Sequence, residues 1–584
     1  MTKFKLLNSI ASPADVKKLD ASQLEPLAAE MRQAVLQKVS AKGGHLGPNL
    51  GVVELTIALH RVFNSPQDKI VWDVSHQCYP HKLLTGRAFG FTDPARYHEI
   101  SGYTAPAESE HDIFTVGHTS TSVSLACGLA KARDILGQKH NVIAVIGDGS
   151  LSGGEAFEGL DNAAELGSNF IVIINDNEMS IAENHGGIYG GLAKLRASGG
   201  SALPNFFESM GFAYHYVENG NDINALTAVL QQVKDSSKPV VVHVHTLKGK
   251  GYKPAEENKE AFHWSLPFDI ASGKILADFS NAPQTYGGVL INRLEEQAAA
   301  DPKIAVINAA TPGALALQGF RSRRPKQYYD VGIAEQHAVA FASALAKGGA
   351  KPVALFYGGF IQRAYDQLSQ DLCLNNSPAV LVIESAGISA MDCTHLSVFD
   401  IPLMSNIPNL VYLAPTCAEE TKQMLDWALG QREYPVALRL PGGAVPALQN
   451  NPVAPLELNK FVPVKAGSKV AIFGLGGFFA LAEQVADKLA EHGINATLIN
   501  PRFITGLDEE LLNHLIANHD TVVTLEDGVL DGGFGEKIAR FYGNKPVKVY
   551  NFGAQKEFTD RIPVEELYRR YELTPGQITA RILA

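Results

Sequence analysis

Two apolar runs, each ending in oxygen-bearing side chains, constrain this chain most. Val142-Ile143-Ala144-Val145-Ile146 leads into Gly147-Asp148-Gly149, and Phe170-Ile171-Val172-Ile173-Ile174 leads into Asn175-Asp176-Asn177. Between them lies a helix-length segment, Gly154 to Leu166. Short β-branched runs bounded by turn residues read as buried strands, so the segment is predicted to run strand, turn, helix, strand. A crossover of that kind is right-handed and belongs to a parallel sheet. Ligands of such sheets bind beyond the carboxyl ends of the strands, where Asp148 and Asn177 are expected to meet. A carboxylate and an amide oxygen suit a hard cation such as Mg²⁺, which shares its remaining positions with phosphates and water. Gly147-Asp148-Gly149 alone also reads as a tight turn. The second cluster, at the next strand end, raises the pair above that reading.

With 584 residues the chain is too long for one ordinary core. At 46% hydrophobic and 19% charged residues it has the composition of a globular protein. A net charge of −11 with dispersed basic residues argues against a nucleic-acid surface. The five cysteines, Cys78, Cys127, Cys373, Cys393 and Cys417, lack metal-ligand spacing and suggest reduced thiols in a cytoplasmic protein. The start, Met1 to Leu7, lacks a signal-peptide core, and no run approaches a membrane span.

Three α/β regions follow. The first, 1–271, opens with an amphipathic helix, Leu24 to Ser40, and closes near the strand Pro239 to His245. A polar stretch, Ser272 to Gln284, reads as a linker. The second, 285–445, carries strands such as Val353 to Tyr357 and Ala379 to Ile383. Pro441 to Pro463, rich in Pro, Gly and Asn, marks the next boundary. The third, 464–584, holds strand Val470 to Phe473, then Gly474-Leu475-Gly476-Gly477 and a helix to Glu491. As a dinucleotide fingerprint this is poor, because the third glycine would fall at Phe479; a structural βα turn is the better reading. The predicted class is α/β, each region a mostly parallel sheet flanked by helices.

Other residues carry chemistry. Glu335, in Ile333-Ala334-Glu335-Gln336-His337, sits where a helix-start carboxylate is favourable. Phe360 follows strand residue Tyr357 through Gly358-Gly359 and reads as core or as a stacking surface. His45, His76, His81, His118 and His263 lie beside Gly-rich or turn segments. Singly each reads as structural; together they suit a site that moves protons near neutral pH.

Taken together these segments resemble the 1-deoxy-D-xylulose-5-phosphate synthase family of transketolase-like thiamine diphosphate enzymes. The resemblance rests on His76-Gln77 with Tyr79-Pro80-His81-Lys82, Gly117-His118, Asn175 to Ile181, Ile333 to Val339 and Gln362 to Gln367. It implies three transketolase-like domains and a homodimer. It implies thiamine diphosphate and Mg²⁺ as cofactors, the metal held by Asp148, Asn177 and the carbonyl of Met179. Cofactor contacts would come from His76, Gly117, His118, Thr119, Gly147, Gly149, Ser150, Ile181, Lys248, Phe360 and Arg363. Glu335 would be the activating carboxyl at the pyrimidine, tuned by desolvation. His45, His76 and His263 would surround the reacting carbons, with Tyr357, Asp392 and His395 opposite. In the family pyruvate is joined to glyceraldehyde 3-phosphate with release of CO₂.

The chain departs from the family where arginines position the aldehyde's phosphate. Those arginines fall at Ser385, at Gly442 and near Pro106, while Arg363 and Arg439 are present. A hydrogen bond to a charged group contributes roughly 1.5–3 kcal/mol. Losing two costs about 3–6 kcal/mol, on the order of 10²–10⁴-fold in affinity. Gly358-Gly359 also replaces small hydroxyl residues, and the Gly-rich segment from Asn184 to Gly200 is short for the family. The expectation is an intact cofactor site with an altered acceptor, unphosphorylated or bulkier. A ketol transferase using another donor, and a non-catalytic paralogue, are the alternative readings.

Overall fold

The computed structural model describes residues 4–449 and 453–584; part of the boundary segment Pro441 to Pro463 therefore lies outside the described residues. The chain forms two compact units, Met1–Asn281 and Ala282–Ala584. The described residues form three sheets, one in the first unit and two in the second.

The first sheet contains β1 (Lys69–Trp72), β2 (Val142–Gly147), β3 (Phe170–Asp176), β4 (Ala213–Val217) and β5 (Pro239–His245), in the order β1-β2-β3-β5-β4. All its pairings are parallel. Ile143, Val145, Ile171 and Ile173 pack into the core on one face, and Val142, Ala144, Val172 and Ile174 into the core on the other. Burial on both faces explains why these strands are continuous apolar runs rather than alternating ones. The opening helix runs Ala21–Lys42, longer at both ends than Leu24 to Ser40. Asp20 and Gln23 form a capping box that sets its start.

The second sheet, also parallel throughout, contains β6 (Ile304–Asn308), β7 (Tyr328–Asp330), β8 (Lys351–Tyr357), β9 (Val380–Ala386), β10 (Val411–Leu413) and β11 (Val436–Pro441). Its order is β10-β11-β9-β8-β6-β7. The third contains β12 (Val462–Lys465), β13 (Lys469–Gly474), β14 (Thr497–Asn500), β15 (His519–Val529) and β16 (Lys548–Ala554). Only the edge strand β12 runs antiparallel to its neighbour there. A Cβ at Gly474 would stand 2.7 Å from Cα of Phe479, so this glycine lets the following helix pack onto the sheet. No helix among the described residues is long and apolar enough to cross a membrane.

Candidate active site

Strand register brings the two halves of the opening motif together. Gly147 on β2 pairs with Asn175 on β3, and the Asp148 N–H donates to the Asn175 carbonyl at 3.1 Å. Asp148 is 1% exposed; its Oδ2 accepts from the Met179 N–H at 3.0 Å and from Asn184 Nδ2 at 2.7 Å. Burial, and then the charge of Asp176, push this carboxyl above its ordinary value. Asn177, one residue beyond β3, is buried, and its Oδ1 has no hydrogen-bond partner. A buried acceptor without a donor is costly. A cation at Asp148 and Asn177 would both satisfy that oxygen and favour the charged carboxylate, so the donor set fits a hard metal.

The loop bearing Gly117, His118 and Thr119 is tied to the same strand end. Ser120 donates through its N–H to Asp73 Oδ1 at 2.9 Å and through its hydroxyl to the Ser150 carbonyl at 2.9 Å. A Cβ at Gly149 would lie 2.9 Å from Cα of Ser180, so only glycine admits the chain there. Ile181 is half-buried just beyond.

Three of the candidate histidines cluster. Ring centroids of His45 and His76 are 5.1 Å apart, those of His45 and His263 5.6 Å, and those of His76 and His263 5.2 Å. Lys248 Nζ donates to His263 Nδ1 at 3.0 Å and to the Ser180 carbonyl at 2.5 Å. Burial pushes Lys248 down to about 7. Burial, with Lys248, His76 and His45 close by, holds His263 well below its ordinary value and therefore neutral. His81 lies apart from this trio, in a buried chain from His60 (2.9 Å) to Asp112 (3.1 Å).

The short Gly-rich segment forms a helix, Gly187–Ala197, with a role its composition does not announce. Tyr189 donates its hydroxyl to the carbonyls of Asp148 (3.1 Å) and Gly149 (3.2 Å). Arg196 bonds Asp176 and pairs with Glu178 at 3.2 Å. His243 Nε2 also bonds Asp176, at 2.8 Å, and against burial these partners hold the Asp176 carboxyl below its ordinary value. Asn184, Tyr189 and Arg196 were not among the expected site residues. The only signal for Arg196 is that Asp176 and Glu178 flank Asn177.

In the second unit Glu335 begins the helix Glu335–Lys347 and is 3% exposed. Its Oε2 is buried without a hydrogen-bond partner, and Arg363 Nη1 lies 3.8 Å away. Burial raises this carboxyl, with Arg363 opposing. The rings of Tyr357 and Phe360 lie 5.2 Å apart, and those of Phe360 and His395 5.6 Å. His395 Nδ1 is 3.5 Å from Asp392, whose carboxyl is held low by His395 against the effect of burial. Glu335 with Arg363, and Tyr357, Phe360, His395 and Asp392, are thus each brought together.

The remaining basic residue expected near the acceptor, Arg439, is 1% exposed and bound to Asp400 (2.6 Å) and Asp527 (2.5 Å). Ser385 and Gly442 are neighbours: a Cβ on Gly442 would stand 3.7 Å from Cα of Ser385. Beside Gly358 the space is filled by Ser397, whose Cβ would be 3.0 Å from a Cβ at 358. In the first unit Pro106 is exposed, next to Glu108, which Lys82 binds at 2.6 Å.

Parallel sheets, with a carboxylate and an amide at the ends of β2 and β3, are the frame on which three family models identify a transketolase-like transferase. Residues 7–202 and 198–246 match the family model described as 1-deoxy-D-xylulose-5-phosphate synthase. Residues 283–447 match the transketolase pyrimidine-binding domain and 459–578 the transketolase C-terminal domain. Among curated relatives, the 1-deoxy-D-xylulose-5-phosphate synthase of Symbiobacterium thermophilum is 42% identical, over 98% of this chain and 94% of its own. That of Pelotomaculum thermopropionicum is 41% identical, over 99% and 97%. A solved transketolase from Leishmania mexicana is 17% identical over 96% of each chain, with a TM-score of 0.44. The chain belongs to the 1-deoxy-D-xylulose-5-phosphate synthase family.

Proposed function

We propose that the protein is a thiamine diphosphate- and Mg²⁺-dependent carboligase. It takes pyruvate as donor, releases CO₂, and joins the remaining two-carbon unit to an aldehyde, the reaction that its family resemblance implies. The observation that carries this reading is the buried Oε2 of Glu335 at a helix start, which has no hydrogen-bond partner and has Arg363 Nη1 3.8 Å away, in a chain that also keeps the Asp148–Asn177 donor set.

Asp148 and Asn177 would hold the metal, with Met179 beside them. Lys248, Ser150 and the Gly117–Thr119 loop would face the diphosphate, and Phe360 would stack on the pyrimidine. When bound, the cofactor would supply a carbon nucleophile and an electron sink for the decarboxylation. Glu335 would hold a proton toward the cofactor's pyrimidine side, a role that burial serves by raising its carboxyl. His263, kept neutral, and His45 and His76 accept and donate hydrogen bonds where charge develops on oxygen. Asp392 orients His395, and Tyr357 lines the same wall. We further place the enzyme in the cytoplasm, where five free cysteines remain reduced, and expect a homodimer, checked by sedimentation.

The test is pyruvate-dependent CO₂ release by the full chain with both cofactors, followed for Glu335→Gln. A transferase using a ketose donor would release no CO₂, and a non-catalytic paralogue would show no thermal shift with saturating cofactor.

A further inference from the structure

The carboxyl ends of β8, β9 and β11 lie side by side and bear Tyr357, then Glu384 and Ser385, then Pro441 and Gly442. Ligands of a parallel sheet sit beyond these ends, and the Tyr357–Phe360–His395 cluster lines the same edge. Ser385 is half-buried with φ +58°, a left-handed conformation unusual for a side-chain-bearing residue. Such strain concentrates where a side chain must be aimed.

The charges at this edge are wrong for a phosphate. Arg439 is committed to Asp400 and Asp527. Arg363 lies against Glu335. Glu384 places Oε1 against the first turn of helix Tyr286–Ala300, where a Cβ on Gly287 would stand 2.4 Å away. Its Oε2 is sealed from solvent and has no hydrogen-bond partner. A Cβ on Gly442 would meet only Cα and Cβ of Ser385 within 4 Å, so there is room beside the Ser385 side chain.

Building on the carboligase reading, we infer that the acceptor is an unphosphorylated hydroxyaldehyde, its far hydroxyl met by Ser385. Burial, which pushes Glu384 up to about 7, agrees with a carboxyl placed where no cation compensates it.

The full chain, loaded with thiamine diphosphate, Mg²⁺ and pyruvate, is offered D-glyceraldehyde and D-glyceraldehyde 3-phosphate, with CO₂ and product mass recorded. Free glyceraldehyde is expected to have the higher kcat/KM, and inorganic phosphate is expected not to compete with it. Ser385→Ala should raise KM for the free aldehyde with little change in kcat. The double variant Ser385→Arg, Gly442→Arg should improve the phosphorylated acceptor by about 10²-fold, the return of two charged hydrogen bonds. A wild-type preference for the phosphorylated aldehyde, or competition by phosphate, overturns the inference even if the double variant fails to fold. Absence of pyruvate-dependent CO₂ release with every aldehyde would instead defeat the carboligase reading, and the acceptor assignment would fall with it.

Discussion

Arg439 on β11 donates from Nε to Asp400 Oδ2 at 2.6 Å and from Nη1 to Asp527 Oδ1 at 2.5 Å, with all three residues buried. A guanidinium available in sequence for a substrate phosphate is thereby spent on joining β11 to the end of β15. Asp527 also closes on Gly387, where a Cβ would stand 2.3 Å from its Oδ2. Removing one partner leaves a buried charge uncompensated. Asp400→Asn is therefore expected to destabilise the second unit by about 3–5 kcal/mol, read by urea unfolding. The ratio of kcat/KM between free and phosphorylated aldehydes should not move.

Glu335→Gln removes an ionisable group while keeping its shape. The cofactor should still raise the melting temperature, whereas kcat should fall by about 10²–10⁴-fold. Loss of both together would mean that Glu335 holds the fold rather than the proton.

Asp148→Asn and Asn177→Ala test the metal set. With ligand at about 100 times its Kd the native protein gains about 2.7 kcal/mol. Differential scanning fluorimetry with Mg²⁺ and thiamine diphosphate should show that gain in the wild type and not in either variant.

The helix Gly187–Ala197 steadies the strand ends proposed to hold the metal, through Tyr189 at the Asp148 and Gly149 carbonyls and Arg196 at Asp176 and Glu178. Arg196→Ala should raise the half-saturating Mg²⁺ concentration by about 10–100-fold, the usual cost of losing a group that orients a ligand. Arg196→Lys should recover part of it, and kcat at saturating metal should stay near wild type.

Glu384 predicts a pH dependence of stability. Its carboxyl is raised from 4.5 to about 7 by burial, so between these values the folded chain binds a proton that the unfolded chain has lost. Stability falls as pH rises through this window, by about 3 kcal/mol at most. Glu384→Gln should flatten the fall in urea midpoints between pH 5 and pH 8.

The α/β class, the strands around Asp148 and Asn177, and the family could be read directly from residue order. Strands buried on both faces must be short apolar runs, and the turn residues that end them stand next in the chain. Pro239–His245 has the predicted bounds, while β3 extends past Ile174 to Asp176 and β9 past Ile383 to Ala386. Polar side chains at those ends obscure a strand whose hydrogen bonds continue. The histidine trio and the Tyr357–Phe360–His395 cluster depend on approach between distant segments, which order alone only suggests. What the tertiary structure alone decided is which charges are free. Arg439 and Arg196 look alike in sequence, yet one locks a buried carboxylate pair and the other braces the end of β3 through Asp176 and Glu178. The reason is that a charge in a folded chain is defined by the partners the fold forces on it, and those partners lie 39 and 88 residues away for Arg439 and 20 and 18 for Arg196.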